Sequence, residues 1–392
     1  MAWTFYTEQQ RELALRYRQL AKEHILPRVR EVEENDRVPA DLIEKLLAPP
    51  FSLSALSVPE HLGGPGFGKV EVCIVAEEIG YVLPCLAPFL EVAQLYSHVV
   101  EVGGAEEQQA LFLKPLTEGA MGCYSLTDEG PGSDPAGLKT TARPTERGFV
   151  LRGTKRLVTF AETGDLFAVF ANEDPSLGPK GISAFVLEKG MPGIKLARQC
   201  KAMGLRGHRS WEVELRDVEV PLVNRIGGRG DGLRIAFKVL NTTRISLSFG
   251  YVGLARAALD LAIEHAKTRM VGGKPIGRQQ AVSFPIAEVA TEVDAARLLA
   301  YRAAVLSEQT GRHRKETSMA KAYAADAMIH AVDTANRVLG GYGGDIRYGA
   351  ERYLRDAYTW IAAQGTPEVQ KVVTARELLR GSELLRGAGA PI

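Results

Sequence analysis

The hydrophobic period of this chain changes twice, and that double change restricts the fold more than any other feature. Up to residue 121 apolar residues recur at helical spacing. From 148 to 221 they alternate with period two, and from 233 onward helical spacing returns. Helical and strand stretches segregated in this way build an α+β chain, not alternating βαβ units. The strand stretches at 149–151, 166–171, 182–187 and 211–215 are separated by glycine and proline and predict a small antiparallel, barrel-like β domain. With 392 residues the chain exceeds one ordinary core. The expected units are an all-α domain at 1–121, a β domain at 122–225 and a four-helix bundle at 226–392.

Within the first unit, residues 7–34 read as a helix capped by Thr7, with Pro27 as its kink or stop. Residues 41–47 form a second helix. Residues 70–82 and 90–102 read as apolar on every side, so they are expected as buried helices; 106–116 is amphipathic. The glycines between Pro59 and Gly68 read as a turn, since no Walker-type lysine follows them. In the last unit residues 233–270 lack proline and predict one long helix with Gly250 and Gly253 as close-packing points. Helices at 285–311, 315–339 and 350–361 follow. A last one opens at Thr366 as N-cap with Pro367 at its first position.

A net charge of +1 leaves no electrostatic footprint for nucleic acid or an anionic membrane. No apolar run approaches the roughly twenty residues of a membrane span, and the first residues carry no signal-peptide pattern. The four cysteines show neither metal spacing nor a disulfide rhythm. The expectation is a cytoplasmic protein that binds a small-molecule substrate and no metal, nucleic acid or membrane.

Between the first helices and the strands lies the stretch from Cys123 to Asp134. Gly130, Gly132 and Ser133 let backbone N–H groups approach a ligand, and Thr127 and Ser133 add hydroxyls suited to ring carbonyls and phosphates. Alone, it also reads as a Gly/Pro turn between domains. It resembles the flavin loop of the acyl-CoA dehydrogenase superfamily, usually Leu-Thr-Glu-Pro-x-x-Gly-Ser-Asp, with Asp128 in place of Glu and Glu129 in place of Pro. Further segments resemble the same family in the same order. Lys155 to Thr159 matches its Trp-Ile-Thr segment, with Leu157 for the tryptophan. Met203 to Gly207, followed by 211–221, matches its exit from the β domain. Arg269 to Pro275 matches its Arg-x-x-Phe-Gly-Lys-Pro turn, with Gly272 for the phenylalanine, and Arg337 to Gly341 its Gln-x-x-Gly-Gly loop.

The resemblance implies FAD as cofactor. Tyr124, Leu126, Thr127, Gly132 and Ser133 would contact it from the flavin loop, Leu157 and Thr159 from the β domain, and Thr366 and Glu368 from the last helix. Arg269, Gln280, Arg337, Gly340 and Gly341 would reach a neighbouring subunit's FAD, with Arg269 on the pyrophosphate. That implies a homo-oligomer, a dimer of dimers, with an electron-transfer flavoprotein or a flavin reductase as redox partner. Ser133, Asn241, Arg244 and Gly365 would meet the substrate.

The departure lies at the catalytic base. The family's glutamate sits in a Tyr-Glu-Gly-Thr segment, which here reads Ala363, Gln364, Gly365, Thr366. Some members place it instead just before the retained arginine Arg244, where Thr243 stands; Asn241 replaces an aspartate there. Neither an amide nor a hydroxyl is a general base near neutral pH, and sequence aims none of Asp128, Glu129, Asp345 or Glu368 at a substrate. Three readings follow: a FAD-dependent oxidoreductase of an acyl thioester with Gln364 at the base position; a reduced-flavin- and O2-dependent hydroxylase; or a non-catalytic partner subunit.

Overall fold

The structure, a computed structural model, describes residues 5–379 except Pro131. Residues 1–4 of the N-terminal reading, Pro131 of the flavin-like loop and residues 380–392 of the last unit lie outside it. Helix α1 (Glu8–Leu20) is capped as expected: the Thr7 hydroxyl accepts from Gln10 N–H at 3.2 Å and the Gln10 amide oxygen accepts from Thr7 N–H at 3.1 Å. The single helix expected to residue 34 is broken. A π turn (Ala21–Ile25) and a 3₁₀ turn (Leu26–Arg28) intervene before α2 (Val29–Asn35), because Pro27 has no N–H to continue the ladder. Helices α3 (Ala40–Leu47), α4 (Lys69–Val82), α5 (Ala87–Gly103) and α6 (Glu106–Thr117) complete the unit. Helices α4 and α5 are buried as their apolar content predicts, but they are not apolar on every side. Glu77, Glu78, Glu91, Gln94, Ser97 and His98 are buried with them.

The middle strands are β1 (Gly122–Ser125), β2 (Thr141–Pro144), β3 (Gly148–Thr159), β4 (Leu166–Asn172), β5 (Ile182–Glu188), β6 (Ile194–Cys200), β7 (Ser210–Pro221) and β8 (Arg225–Ile226). They form one sheet in the order β6-β7-β3-β2-β4-β5-β8, with β1 beside β4. The ladder is mostly antiparallel, but β1 runs parallel to β4, and β2 meets β4 in parallel at Thr141 and Asn172. The sheet is therefore mixed. Strand β1 enters straight from α6 with no hairpin to reverse it, so its direction is set by the helical unit.

The third unit is helical: α7 (Gly232–Thr268), a hairpin of β9 (Met270–Val271) and β10 (Lys274–Pro275), then α8 (Gln280–Thr310), α9 (Arg314–Leu339), α10 (Ala350–Trp360) and α11 (Pro367–Leu378). Helix α8 begins at Gln280, so Pro285 lies inside it, not at its start. Helix α7 is the spine, packing on α4, α5, α8 and α9. Gly253 permits the approach of α4: a Cβ there would lie 2.4 Å from the Glu77 carbonyl oxygen. By length and composition α7 is apolar enough to cross a membrane, yet most of its apolar stretch is buried inside the protein. Its apolar surface is used on the core.

Candidate functional site

Strand β1 carries Tyr124 and Ser125 inward, and both hydroxyl oxygens are enclosed without a hydrogen-bond partner. The Tyr124 ring packs edge-on against Phe170, 5.3 Å between centroids, and Leu126 joins the same apolar cluster. The chain then crosses β3, with Arg156 N–H donating to the Thr127 carbonyl at 2.8 Å. Asp128 anchors the loop. It accepts from the Lys139 and Thr140 amides (2.6 Å each), the Thr140 hydroxyl (2.9 Å) and the fully buried Lys155 ammonium (2.5 Å), which also reaches the Leu126 carbonyl at 3.2 Å. Burial pulls the Lys155 ammonium down to about 8, with Asp128 opposing the shift. Asp128 is thus a structural anion, fully engaged and no candidate base. The anchoring leaves Thr127 half-buried and Gly132 and Ser133 exposed.

Thr159 ends β3. Its hydroxyl lies 3.2 Å from His208 Nε2 and 3.4 Å from the Ser210 hydroxyl. Burial pulls His208 down to about 4, so the ring is neutral at neutral pH. Two residues earlier, a register shift in the β3–β7 ladder holds Leu157 at φ +55°, 60% exposed. His208 and Ser210 were missed in sequence. Their only local signal is the neighbouring Arg206-Gly207 segment, and their contact with Thr159 spans about fifty residues.

Gln364 sits between α10 and α11 at φ +54° and is followed by Gly365 at +94°, a left-handed pair that turns the chain back. Its amide oxygen accepts from the Thr243 hydroxyl at 2.8 Å, and its carbonyl from Arg244 Nε at 2.8 Å. The two positions at which the base was sought are therefore hydrogen-bonded to each other, and both are uncharged. Arg244 is drawn down to about 10 by burial, with Tyr124 acting against the shift. The buried Lys321 ammonium donates to the Ile361 and Gly365 carbonyls at 2.9 and 2.7 Å, and burial followed by Arg244 brings it to about 7. The Thr366 hydroxyl caps α11, accepting from Val369 N–H at 3.4 Å. Asn241 keeps an enclosed side-chain oxygen without a partner. The remaining acids stand aside: Glu129 and Glu368 are exposed, and Asp345 is paired with Arg347.

The other residues form a second group. Arg269 donates to the Tyr342 hydroxyl at 3.4 Å and lies over its ring, which places it beside the Gly340–Gly344 turn. Gln280 is exposed at the start of α8, and Arg337 is exposed and bonded to Asp333 at 2.6 Å. Among the described residues no hydrogen bond links this group to Thr127, Thr159 or Gln364.

The enclosed, unpartnered Tyr124 hydroxyl, the exposed backbone at Gly132 and Ser133, and the Thr159 hydroxyl fit a large polar ring system with phosphates. A helical unit, a mixed sheet and a helical bundle meet at this donor set, an arrangement that suits a bound flavin. The chain belongs to the acyl-CoA dehydrogenase family. It matches the family models for the N-terminal domain at residues 7–120, the middle domain at 123–218 and the C-terminal domain at 230–379. It is 35% identical to an acyl-CoA dehydrogenase of Bacillus subtilis over 96% of this chain and 99% of that protein. It is 33% identical to the caffeyl-CoA reductase-Etf complex subunit CarC of Acetobacterium woodii over 96% and 100%. Among solved structures, butyryl-CoA dehydrogenase from Megasphaera elsdenii superposes with a TM-score of 0.92 at 32% identity, covering 97% of this chain and 100% of the other. The cofactor of this family is FAD, which accepts two reducing equivalents from a substrate when bound.

Proposed function

We propose that the protein oxidises an acyl thioester with FAD and delivers the electrons to an electron-transfer flavoprotein. The observation that carries the reading is the Gln364 loop. Arg244, Lys321 and Thr366 hold it in a defined shape, and only the titratable group is missing from it. Gln364 can orient a thioester through its amide but cannot take a proton. The substrate is therefore one whose α-proton is more acidic than that of a simple saturated chain. The electron acceptor is inferred from the relative that works in a complex with such a flavoprotein. Arg269, Gln280, Arg337, Gly340 and Gly341, exposed on their own chain, are proposed to complete a neighbouring subunit's cofactor site in a dimer of dimers. Replacing Arg269 by alanine should then weaken FAD retention without lowering the unfolding midpoint.

The neutral pair at 243 and 364 also supports a second reading, a hydroxylase, which needs no α-proton abstraction. Anaerobic mixing of the FAD-loaded protein with a panel of CoA thioesters separates the two. Bleaching of the flavin with loss of two hydrogens from the thioester supports oxidation. No response to any thioester, with incorporation of isotopically labelled O2 into product once the flavin is reduced, establishes the hydroxylase instead.

A further inference from the structure

His208 lies on the crossover from β6 to β7, and groups from all three units fasten it. The Gly207 N–H before it donates to the Asp36 carboxylate at the end of α2, at 3.0 Å, and the Leu205 N–H donates to the Asp356 carboxylate of α10. The His208 N–H itself donates to the Leu205 carbonyl at 2.8 Å. Its ring stands edge-on to Phe160, 5.7 Å between centroids, and Phe160 stands edge-on to Phe89 of α5 at 5.0 Å. A ring held from its backbone and from its edge has a fixed direction. Its Nε2 points at the Thr159 hydroxyl, 3.2 Å away. Val158 is buried in the core of the sheet, whereas Thr159 is only half-buried.

The hydrogens available to this contact can be counted. The neutral ring has a single N–H. It also makes a hydrogen bond to its own backbone that opposes the effect of burial, the sign of an N–H given to a carbonyl. Since Nε2 is turned to Thr159, that N–H is on Nδ1, and Nε2 carries a lone pair. The Thr159 hydroxyl has one hydrogen, and Nε2 accepts it. The Ser210 hydroxyl, 3.4 Å from the same oxygen, has a hydrogen to donate to it. What Thr159 has left for a ligand is a lone pair, not a proton.

We propose that His208 is a positioning residue for the cofactor: by holding the Thr159 proton it makes that hydroxyl an acceptor, so that the site favours reduced over oxidised FAD. The ring nitrogens of an oxidised flavin are acceptors, and two-electron reduction adds a proton and turns an acceptor nitrogen into an N–H donor. A hydroxyl that only accepts therefore opposes an acceptor before reduction and meets a donor after it. The inference rests on FAD meeting Thr159 and not on which substrate is oxidised, so it stands or falls apart from the thioester reading.

The test is the equilibrium midpoint potential of the FAD-loaded protein, read by slow dithionite titration against a reference dye. His208→Phe keeps the ring shape and the contact with Phe160 but has no nitrogen. It is combined with Ser210→Ala, so that the released proton does not turn to that hydroxyl, and compared with Ser210→Ala alone. The equilibrium should move about tenfold toward oxidised flavin, the size of one hydrogen bond, which is a fall of about 30 mV for a two-electron couple. His208→Gln, whose amide oxygen accepts, should stay within about twofold of wild type. In a Thr159→Val background the His208 replacement should change nothing. Should His208→Phe not fold, His208→Leu carries the same comparison. An unchanged or raised potential without the His208 nitrogens, an equal fall in His208→Gln, or an equal fall in the Thr159→Val background would overturn the proposal. So would a Thr159→Val variant with the wild-type potential, since that hydroxyl would then not meet the flavin ring.

Discussion

Helices α4 and α5 lie side by side, both bury carboxylates, and they treat them in opposite ways. On α4, Glu77 accepts from Arg256 at 2.6 Å and Arg297 at 2.8 Å, and Glu78 accepts from Arg256 and Arg18, each at 2.9 Å. Burial pushes the Glu77 carboxyl up, but Arg297 and Arg256 outweigh it and hold it below the ordinary range. On α5, Glu91 has one enclosed oxygen without a partner, and burial raises its carboxyl to about 8 against weaker opposition from Trp360 and Lys321. The α4 network ties α1, α7 and α8 to one helix and is complete within the fold. The α5 stripe of Glu91, Gln94 and His98 is incomplete and borders the Gln364 loop through Trp360. The Glu77 and Glu78 carboxylates are matched inside the fold, whereas Glu91 keeps one oxygen unmatched.

The largest effect should follow from breaking the complete network. Glu77→Leu leaves Arg256 and Arg297 short of a buried counter-charge and should cost about 3–5 kcal/mol in urea unfolding. A loss below about 1 kcal/mol would erase the contrast. The flavin-like loop offers a second complete pair: Asp128→Asn strands the Lys155 ammonium and should cost about 3 kcal/mol, with weaker FAD retention as the accompanying readout.

Glu91 should behave in the opposite sense. Its folded pKa of about 8 lies above the unfolded value of 4.5, so the stability associated with the protonated form is complete below pH 4.5 and is lost as pH rises to 8. Glu91→Gln keeps the neutral shape and removes that loss. The variant should match wild type near pH 4.5 and exceed it by a margin that grows as pH rises to 8. The smallest effect is expected at Gln94. Replacing an enclosed, unpartnered amide by leucine should change stability by less than about 1 kcal/mol, since no protein hydrogen bond to its nitrogen is lost.

The three-part organisation is legible in sequence because a change of hydrophobic period over seventy residues survives any local irregularity. Thr7 and Thr366 are legible because a cap needs only three residues of context. The α5 stripe was not, because Gln94 and His98 sit among Phe89, Leu95 and Val99 and only the packing of α4 and α7 decides which way they face. The parallel pairing of β1 with β4 joins residues more than forty positions apart, and no local pattern encodes it. At the base position the residue type was legible, but not the hydrogen bond from Thr243 to Gln364, which spans 121 residues.

The central claim, that this is a thioester-oxidising site with its base withdrawn, is tested most directly at Gln364. The FAD-loaded wild type and its Gln364→Glu variant would be mixed anaerobically with saturated acyl-CoA thioesters, and the flavin absorbance followed in time. General-base participation contributes ~10²–10⁴-fold in rate, so the variant should bleach its flavin faster than wild type by a factor in that range. Equal bleaching by wild type and variant would contradict the claim and show that another residue takes the proton.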